Sequence, residues 1–285
     1  MPGVPILSTY AAYDRAAAHY DGTRWPVGID VLIEHLSRRP IPLSELELLD
    51  AGCGTGVYSA MLVDKVRRVT AVDLSEGMLG IARAKFRDQE RAGRIAVRRA
   101  SIEQLPFADG SFDVVMFNQV LHHLEDGGDS TYGGHARALA EAFRVLRPGG
   151  LVWINACGHE QLRRGFWFYD LVPEALEGIL ARCAPAERIE SILADCGFHL
   201  TDLIVPAEVV LQGQAYFDPR GPLKEDWRSG DSFWALATPA QLRRVEAQLT
   251  RLEVAGHLTA FVEERDRGRS GCGQVSYFLA RRPGR

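Results

Sequence analysis

Residues 48–56 read Leu-Leu-Asp-Ala-Gly-Cys-Gly-Thr-Gly, which puts Gly52, Gly54 and Gly56 within five positions, directly after an apolar run that carries Asp50. Glycine tolerates positive φ and lets a ligand come close to the backbone. A helix start beyond such a turn offers N–H groups with no partner inside the helix. A second acid, Asp73, closes the run Val-Thr-Ala-Val-Asp, 21 positions after Gly52. A carboxylate at the end of a strand can accept two hydroxyl hydrogen bonds, and such bonds are charge-assisted and orienting. Further on come Asn118-Gln119 and, after two apolar residues, His122-His123. Histidine titrates near neutrality and suits the removal of a proton from a hydroxyl, an amine or an acidic carbon.

Two nucleotide-cofactor readings compete for the glycines. A dinucleotide fold wants Gly-x-Gly-x-x-Gly with phosphates at the helix start. Here the third glycine comes one residue early, at Gly56, and Val57 occupies the required place. A phosphate loop is excluded because no Gly-Lys-Ser/Thr follows. The other reading is S-adenosylmethionine, which has no pyrophosphate but has an amino-acid end, a sulfonium, a ribose and an adenine. Asp50 would take the amino group, directly or through water. The stretch Gly52–Gly56 would make room for the methionyl part, and Asp73 would grip the ribose hydroxyls.

These residues need a frame, and the flanking sequence supplies one. Residues 45–51 read as a short buried strand, 57–66 as a helix, 67–75 as a strand and 76–92 as one helix with acids early and bases late. Strands follow at 94–100 and 111–120. The helix at 133–150 is expected to stop at Pro148 and Gly149, and a strand follows at 151–157. Strands alternating with helices of ten or more residues imply a parallel sheet with crossover helices. After residue 157 the rhythm changes. Helices dominate to 198, residues 199–211 read as a strand, 212–238 show no clear period, 239–256 read as a helix, and 273–282 close the chain as a strand. At the other end, residues 8–38 look helical with breaks, ended by Pro40 and Pro42.

The expectation is one domain: a helical segment (1–44) lying over the cofactor, a cofactor-binding half (45–157), a substrate-side half with an insertion (158–272) and the closing strand (273–282), which returns to the main sheet. The chain of 285 residues can bury a core without disulfides. Its formal net charge of −4 makes neither a nucleic acid nor an anionic membrane the default partner. Local basic clusters such as Arg98-Arg99 and Arg281-Arg282 read as solvated surface. The five cysteines are odd in number and scattered, which suggests neither a metal site nor a disulfide framework and points to a reducing, cytoplasmic setting. The first residues lack the pattern of a signal peptide, and no apolar run approaches ~18 residues, so no membrane span is expected.

Four ordered stretches, LLDAGCGTG, VTAVDLSEGML, IEQLPFADGSFDVVMFNQVLHHLED and AFRVLRPGG, resemble successive motifs of class I S-adenosylmethionine-dependent methyltransferases. Within that family the likeness is to the small-molecule group that includes menaquinone and ubiquinone methyltransferases. It covers roughly residues 45–155. The resemblance implies a Rossmann-like α/β fold: a seven-stranded, mostly parallel sheet whose last strand is antiparallel, here with a helical insertion before that strand. It also implies a site. The methionyl part would meet Asp50, Gly52, Cys53, Gly54 and Gly56, and the ribose Asp73. Leu74 and Met78 would flank the adenine, although Met78 is equally suited to ordinary helix packing. A third motif of the family usually carries Asp-Ala before xxLPF and reaches the adenine with its acid. This chain has Ser101-Ile102 there, and a neutral hydroxyl makes a weaker hydrogen bond.

The segment His-Tyr-Asp-Gly-Thr-Arg (19–24) resembles one that folds over the methionyl carboxylate in relatives. Tyr20 and Arg24 are the candidates, with Tyr13 behind them; a guanidinium fork suits a carboxylate. The alternative is a helix surface with one buried tyrosine. Asn118-Gln119 would stand where the methyl group points. They lack the Asn/Asp-Pro-Pro-Tyr/Phe pattern of enzymes that methylate nucleobase or amide nitrogens, and no carboxylate cluster suggests a required magnesium ion. Some relatives use one histidine of a pair like His122-His123 as a base, helped by a carboxylate at the end of the next strand. Here that position reads Asn155-Ala156, so the helper is missing; packing and helix capping are the alternative roles for the pair.

Aromatic residues gather in the insertion at Phe166, Trp167, Phe168 and Tyr169 and again at Phe233 and Trp234. They could form a lid over a small acceptor or the insertion's own core, with at least one expected to face the acceptor. The leading expectation is direct in-line methyl transfer to a small-molecule acceptor. The rivals are a cyclase or isomerase that uses the sulfonium electrostatically, and a non-catalytic subunit. The apolar insertion could also support a homodimer.

Overall fold

The computed structural model describes residues 25–124 and 131–284. Seven strands form one sheet: β1 (Glu47–Ala51), β2 (Arg68–Asp73), β3 (Ile95–Arg99), β4 (Phe112–Asn118), β5 (Leu146–Ala156), β6 (His199–Ile204) and β7 (Ser276–Arg281). Their order is β3-β2-β1-β4-β5-β7-β6. The β1–β2, β1–β4, β2–β3 and β4–β5 pairs are parallel, while β7 runs antiparallel to both β5 and β6. This is the Rossmann-like methyltransferase topology.

The central strands are apolar at nearly every position because helices cover both faces of a parallel sheet. Side chains alternate between those faces. Along β4, Val114 and Met116 join an apolar layer with Leu48, Val69, Leu151 and Trp153. Val115 and Phe117 join the opposite layer with Leu49, Val72, Val152 and Ile154. The aromatic insertion packs on the first layer, and the helix Gly133–Val145 on the second.

Three of the departures from the expected element boundaries have a plain local cause. The helix expected at 133–150 ends at Val145, and Pro148 and Gly149 lie inside β5. Pro148 disfavours helix at Arg147. Bonds that continue the β5–β7 pairing, Gly149 N to Arg282 O (2.9 Å) and Arg282 N to Gly150 O (2.9 Å), hold the stretch extended. The single helix expected at 76–92 is two, Glu76–Lys85 and Arg87–Arg91, broken at Phe86, whose ring is buried against Gly56. The strand expected at 199–211 stops at Ile204, two residues before Pro206, which has no N–H for a ladder.

The segments that follow β5 and β6 fold around shared rings. Phe166 stacks on Tyr169 at 4.3 Å, Tyr169 on Phe233 at 4.2 Å, and Phe168 on Trp234 at 5.7 Å between centroids. Phe166, Trp167, Phe168, Phe233 and Trp234 are buried and build this core. Among the described residues no helix is long and apolar enough to cross a membrane.

Candidate active site

Sheet register brings the sequence candidates together. Ala51 pairs with Val72, so the next residues, Gly52 and Asp73, come side by side at the ends of β1 and β2. On the other side of β1, Asp50 pairs with Met116 of β4, so two positions further each chain reaches Gly52 and Asn118. Asn118 in turn pairs with Asn155. The site therefore lies beyond the carboxyl ends of β1, β2, β4 and β5, where the strand order reverses, the usual ligand crevice of such sheets.

The glycine turn is built as its composition demands. Gly52, Gly54 and Gly56 have φ of 82°, 54° and 80°, which residues with a Cβ rarely adopt. A Cβ at Gly52 would strike Val120, and one at Gly56 would strike the Phe86 ring. At Gly54 a Cβ would meet no protein atom within 4 Å, so the turn is open there. The amides of Gly52 and Cys53 donate to Val72 O at 2.8 and 2.9 Å. Asp73 braces the same turn: its Oδ2 accepts from Gly54 N and its Oδ1 from Ser75 N, each at 2.9 Å.

A large cavity opens over this turn. Gly52, Cys53, Gly54, Asp73, Leu74 and Met78 line one wall, continued by Ala100, Ser101, Ile102 and Asn118. The insertion adds Leu211 and the stretch Ser229–Ser232 with Ala235, and Trp25, Tyr58 and Arg182 also line the cavity. Gln119, in the left-handed region at φ 52°, sits at the junction. It donates through Nε2 to Asn155 Oδ1 at 2.8 Å, and Asn155 Nδ2 donates to the Tyr58 hydroxyl at 3.1 Å. Asn155, the residue in the place of the missing helper carboxylate, is thus an amide link between Gln119 and Tyr58. Asn118 Oδ1 accepts from Trp153 Nε1 at 3.0 Å, while its Nδ2 is buried without a hydrogen-bond partner among the described residues.

A narrower recess adjoins the cavity and shares Gln119, His123, Leu211, Gly230, Asp231 and Ser232 with it. Its remaining walls are His122, Cys157, Leu162, Tyr169, Ile179 and Cys183. His122 and His123 sit 3.9 Å apart between ring centroids, tilted by 54°. His122 Nε2 lies 3.4 Å from Ser232 Oγ of the insertion. Tyr169 is the one aromatic of the group singled out from sequence that lines either space.

Not every candidate lies on the cavity wall. Asp50 is 1% exposed behind the turn, where its Oδ2 accepts from Ser59 Oγ at 2.7 Å. Burial, with the Asp73 charge adding to it, pushes its carboxyl up to about 7 against the pull of the Ser59 bonds. Burial also pushes the Cys53 thiol well above its ordinary value, helped by Asp50 and Asp73, so it is no nucleophile near neutral pH. Gly56 shapes the turn and does not line the cavity. Tyr13, Tyr20 and Arg24 lie outside the described residues. Asp231, Ser232, Trp25, Tyr58 and Arg182 escape the sequence reading. Asp231 and Ser232 stand beside an aromatic cluster that draws attention for its rings alone.

Seven strands in this order, a glycine turn after β1 and an acid closing β2 define the class I methyltransferase architecture. Known proteins agree. The methyltransferase-domain family matches residues 49–154. A malonyl-[acyl-carrier protein] O-methyltransferase of Enterobacter lignolyticus is 32% identical over 211 residues, 72% of this chain and 76% of that protein. A demethylmenaquinone methyltransferase of Clavibacter sepedonicus is 33% identical over 178 residues, 60% and 67%. In two further relatives the matched stretch spans only 49% and 37% of their length. The crystal structure of a putative methyltransferase from an antibiotic biosynthesis pathway of Anabaena variabilis superposes with a TM-score of 0.68 at 21% identity, covering 89% of this chain and 96% of that one. The chain belongs to the class I S-adenosylmethionine-dependent methyltransferases.

Proposed function

We propose that the protein moves the methyl group of S-adenosylmethionine to a small, partly apolar acceptor held in the recess. One observation supports this above the others: the cavity over the glycine turn and the recess behind the histidines meet at the end of β4, and six residues line both. The residues fit the cofactor. Asp73 would take the ribose hydroxyls, Leu74, Met78 and Ile102 would flank the adenine, and Ser101 would offer a neutral contact to its edge. The turn Gly52–Gly54 would face the methionyl part, with Asp50 and Gly56 supporting it from behind. Tyr20 and Arg24 remain the choices for its carboxylate.

S-adenosylmethionine supplies a methyl group already activated on a sulfonium. What the chain adds is position. Gln119 is held by Asn155 at the junction of the two spaces, and Asn118 presents its amide beside it. Holding a nucleophile in line with the departing sulfur removes several kcal/mol of the barrier through orientation alone. His122, oriented through Ser232, would accept the acceptor's proton, with the His123 ring tilted against it. In this reading residues 158–272 form the substrate side of one domain. The relatives are named for acceptors as different as a malonyl-[acyl-carrier protein] and demethylmenaquinone, so the names select none for this chain.

The test is a metabolite screen with S-adenosylmethionine, read by mass. A product heavier by one methyl, formed together with S-adenosylhomocysteine, is the expected result. A product of unchanged mass would replace methyl transfer by cyclisation or isomerisation. Cofactor binding without any turnover, combined with saturable binding of a protein partner, would replace it by a non-catalytic subunit.

A further inference from the structure

The larger cavity holds a cation that the cofactor reading does not use. Arg182 is the one lysine or arginine among its described lining residues. It is half-buried, and among the described residues its guanidinium makes no hydrogen bond or ion pair. Arg39, Arg144, Arg269 and Arg282 are half-buried too, yet each donates to a carbonyl or carboxylate oxygen. Arg182 therefore keeps its charge and its fork of N–H donors for something else, and that fork matches an oxyanion in two parallel bonds. The turn that carries it follows the helix Pro173–Leu180 of the insertion. Arg182 N and Cys183 N both donate to Ile179 O at 3.1 Å, and this turn puts Ile179 and Cys183 on the recess wall and Arg182 on the cavity wall. Cys183 O accepts from the Tyr132 hydroxyl at 3.3 Å and from His159 Nε2 at 2.7 Å. Tyr132 precedes the helix that leads into β5, and His159 follows β5. The turn is thus docked beside β5, on the acceptor side, and not on β1 or β2, whose ends carry the glycine turn and Asp73. Burial, with Cys157 adding to it, pushes the Cys183 thiol up, and the Arg182 charge pulls the other way, so the guanidinium is felt at the recess wall.

We propose that Arg182 anchors the methyl acceptor through a carboxylate, so that the acceptors are amphipathic acids. The carboxylate pairs with the Arg182 fork at the cavity end. The apolar body lies against Leu162, Ile179 and Leu211 in the recess. Between the two ends the atom to be methylated comes to the junction beside Gln119, within reach of the cofactor's methyl group. One fork balances the single charge of a carboxylate, whereas a phosphate monoester would bring close to two negative charges. An alcohol in the same place gains a hydrogen bond without charge pairing, and an ammonium faces a like charge. The inference rests on the methyltransferase reading of the cavity and the recess.

The test uses three matched probes, hexanoate, hexanol and hexylamine, titrated at neutral pH into the full-length protein saturated with S-adenosylhomocysteine. At that pH the acid is ionised and the amine protonated. Hexanoate should bind about tenfold more tightly than hexanol, a charge-assisted pair against a neutral hydrogen bond, and hexylamine most weakly. Arg182→Met keeps the length of the stem and removes the charge. It should bring hexanoate to the level of hexanol and leave the affinity for S-adenosylhomocysteine unchanged. Hexanol or hexylamine binding as tightly as hexanoate in the wild type would overturn the proposal, as would failure of hexanoate to bind, or a hexanoate preference that survives Arg182→Met. A loss of S-adenosylhomocysteine affinity in that variant would also overturn it, because Arg182 would then hold the cofactor's own carboxylate. If the variant does not fold, the wild-type ranking still decides. A wild-type protein that fails to bind S-adenosylhomocysteine at all would overturn the methyltransferase reading itself, a separate result.

Discussion

Asp73 accepts the Gly54 amide through Oδ2 at 2.9 Å, so the acid that closes β2 braces the turn that leaves β1. One side chain thereby shapes the backbone of the cavity and lines it. Replacing Asp73 by Ala should remove both a ligand contact and this brace. Hydrogen bonds to a charged group contribute ~1.5–3 kcal/mol each, so affinity for S-adenosylmethionine should fall roughly a hundredfold or more. Titration calorimetry reads this directly; an unchanged affinity would remove Asp73 from the site.

His122 lines the recess and not the larger cavity. His122→Ala should lower kcat by about 10²-fold, the low end for loss of a general base, and leave cofactor affinity as it was. Ser232→Ala should show a smaller loss of the same kind, because it touches only the orientation of that ring. Steady-state kinetics with an identified acceptor would check both. A His122 variant with full kcat would leave positioning as the whole of the protein's contribution.

Gly56 tests the architecture of the turn. It has φ 80°, and an added Cβ would collide with the buried Phe86 ring. Gly56→Ala combines backbone strain with overpacking, and should cost about 2–3 kcal/mol of stability. Denaturant unfolding would measure it, and a variant as stable as the wild type would contradict the described geometry.

Asp50 gives a pH dependence whose sign is fixed. Its carboxyl is raised from 3.8 to about 7 in the folded protein by burial, with the Asp73 charge adding to it. Its contribution to stability is therefore complete below about pH 4. It is lost as pH rises, because the unfolded chain gives up this proton first, and the loss is complete above about pH 7. Over that window the difference reaches the order of 4 kcal/mol. Asp50→Asn keeps the size of the side chain and removes the titration. Its stability relative to the wild type should climb between pH 4 and 7; a constant difference would exclude the shift.

Much of the cofactor side is legible in the sequence. The turn, Asp73 and the crossover rhythm are local patterns, in which strand, glycines and helix follow one another in the chain. Register then does the rest, because parallel neighbours put Gly52, Asp73 and Asn118 at one end of the sheet. The acceptor side is less legible for a physical reason. Ser232 and His122 meet across 110 positions, through the packing of an insertion with no periodic pattern in that stretch. Asp231 lies in the same aperiodic stretch, and its place on two cavity walls follows from tertiary folding. The early end of the helix at Val145 is likewise hidden: Pro148-Gly149 reads as a helix stop, yet the chain has already turned into β5.

The most direct measurement is a crystal structure of the full-length protein with S-adenosylhomocysteine. The account predicts the ribose hydroxyls on Asp73, the adenine between Leu74, Met78 and Ile102, and the sulfur at the junction of the two spaces, facing the recess of His122 and Asp231. A ligand bound elsewhere, or one whose sulfur points away from that recess, would contradict it.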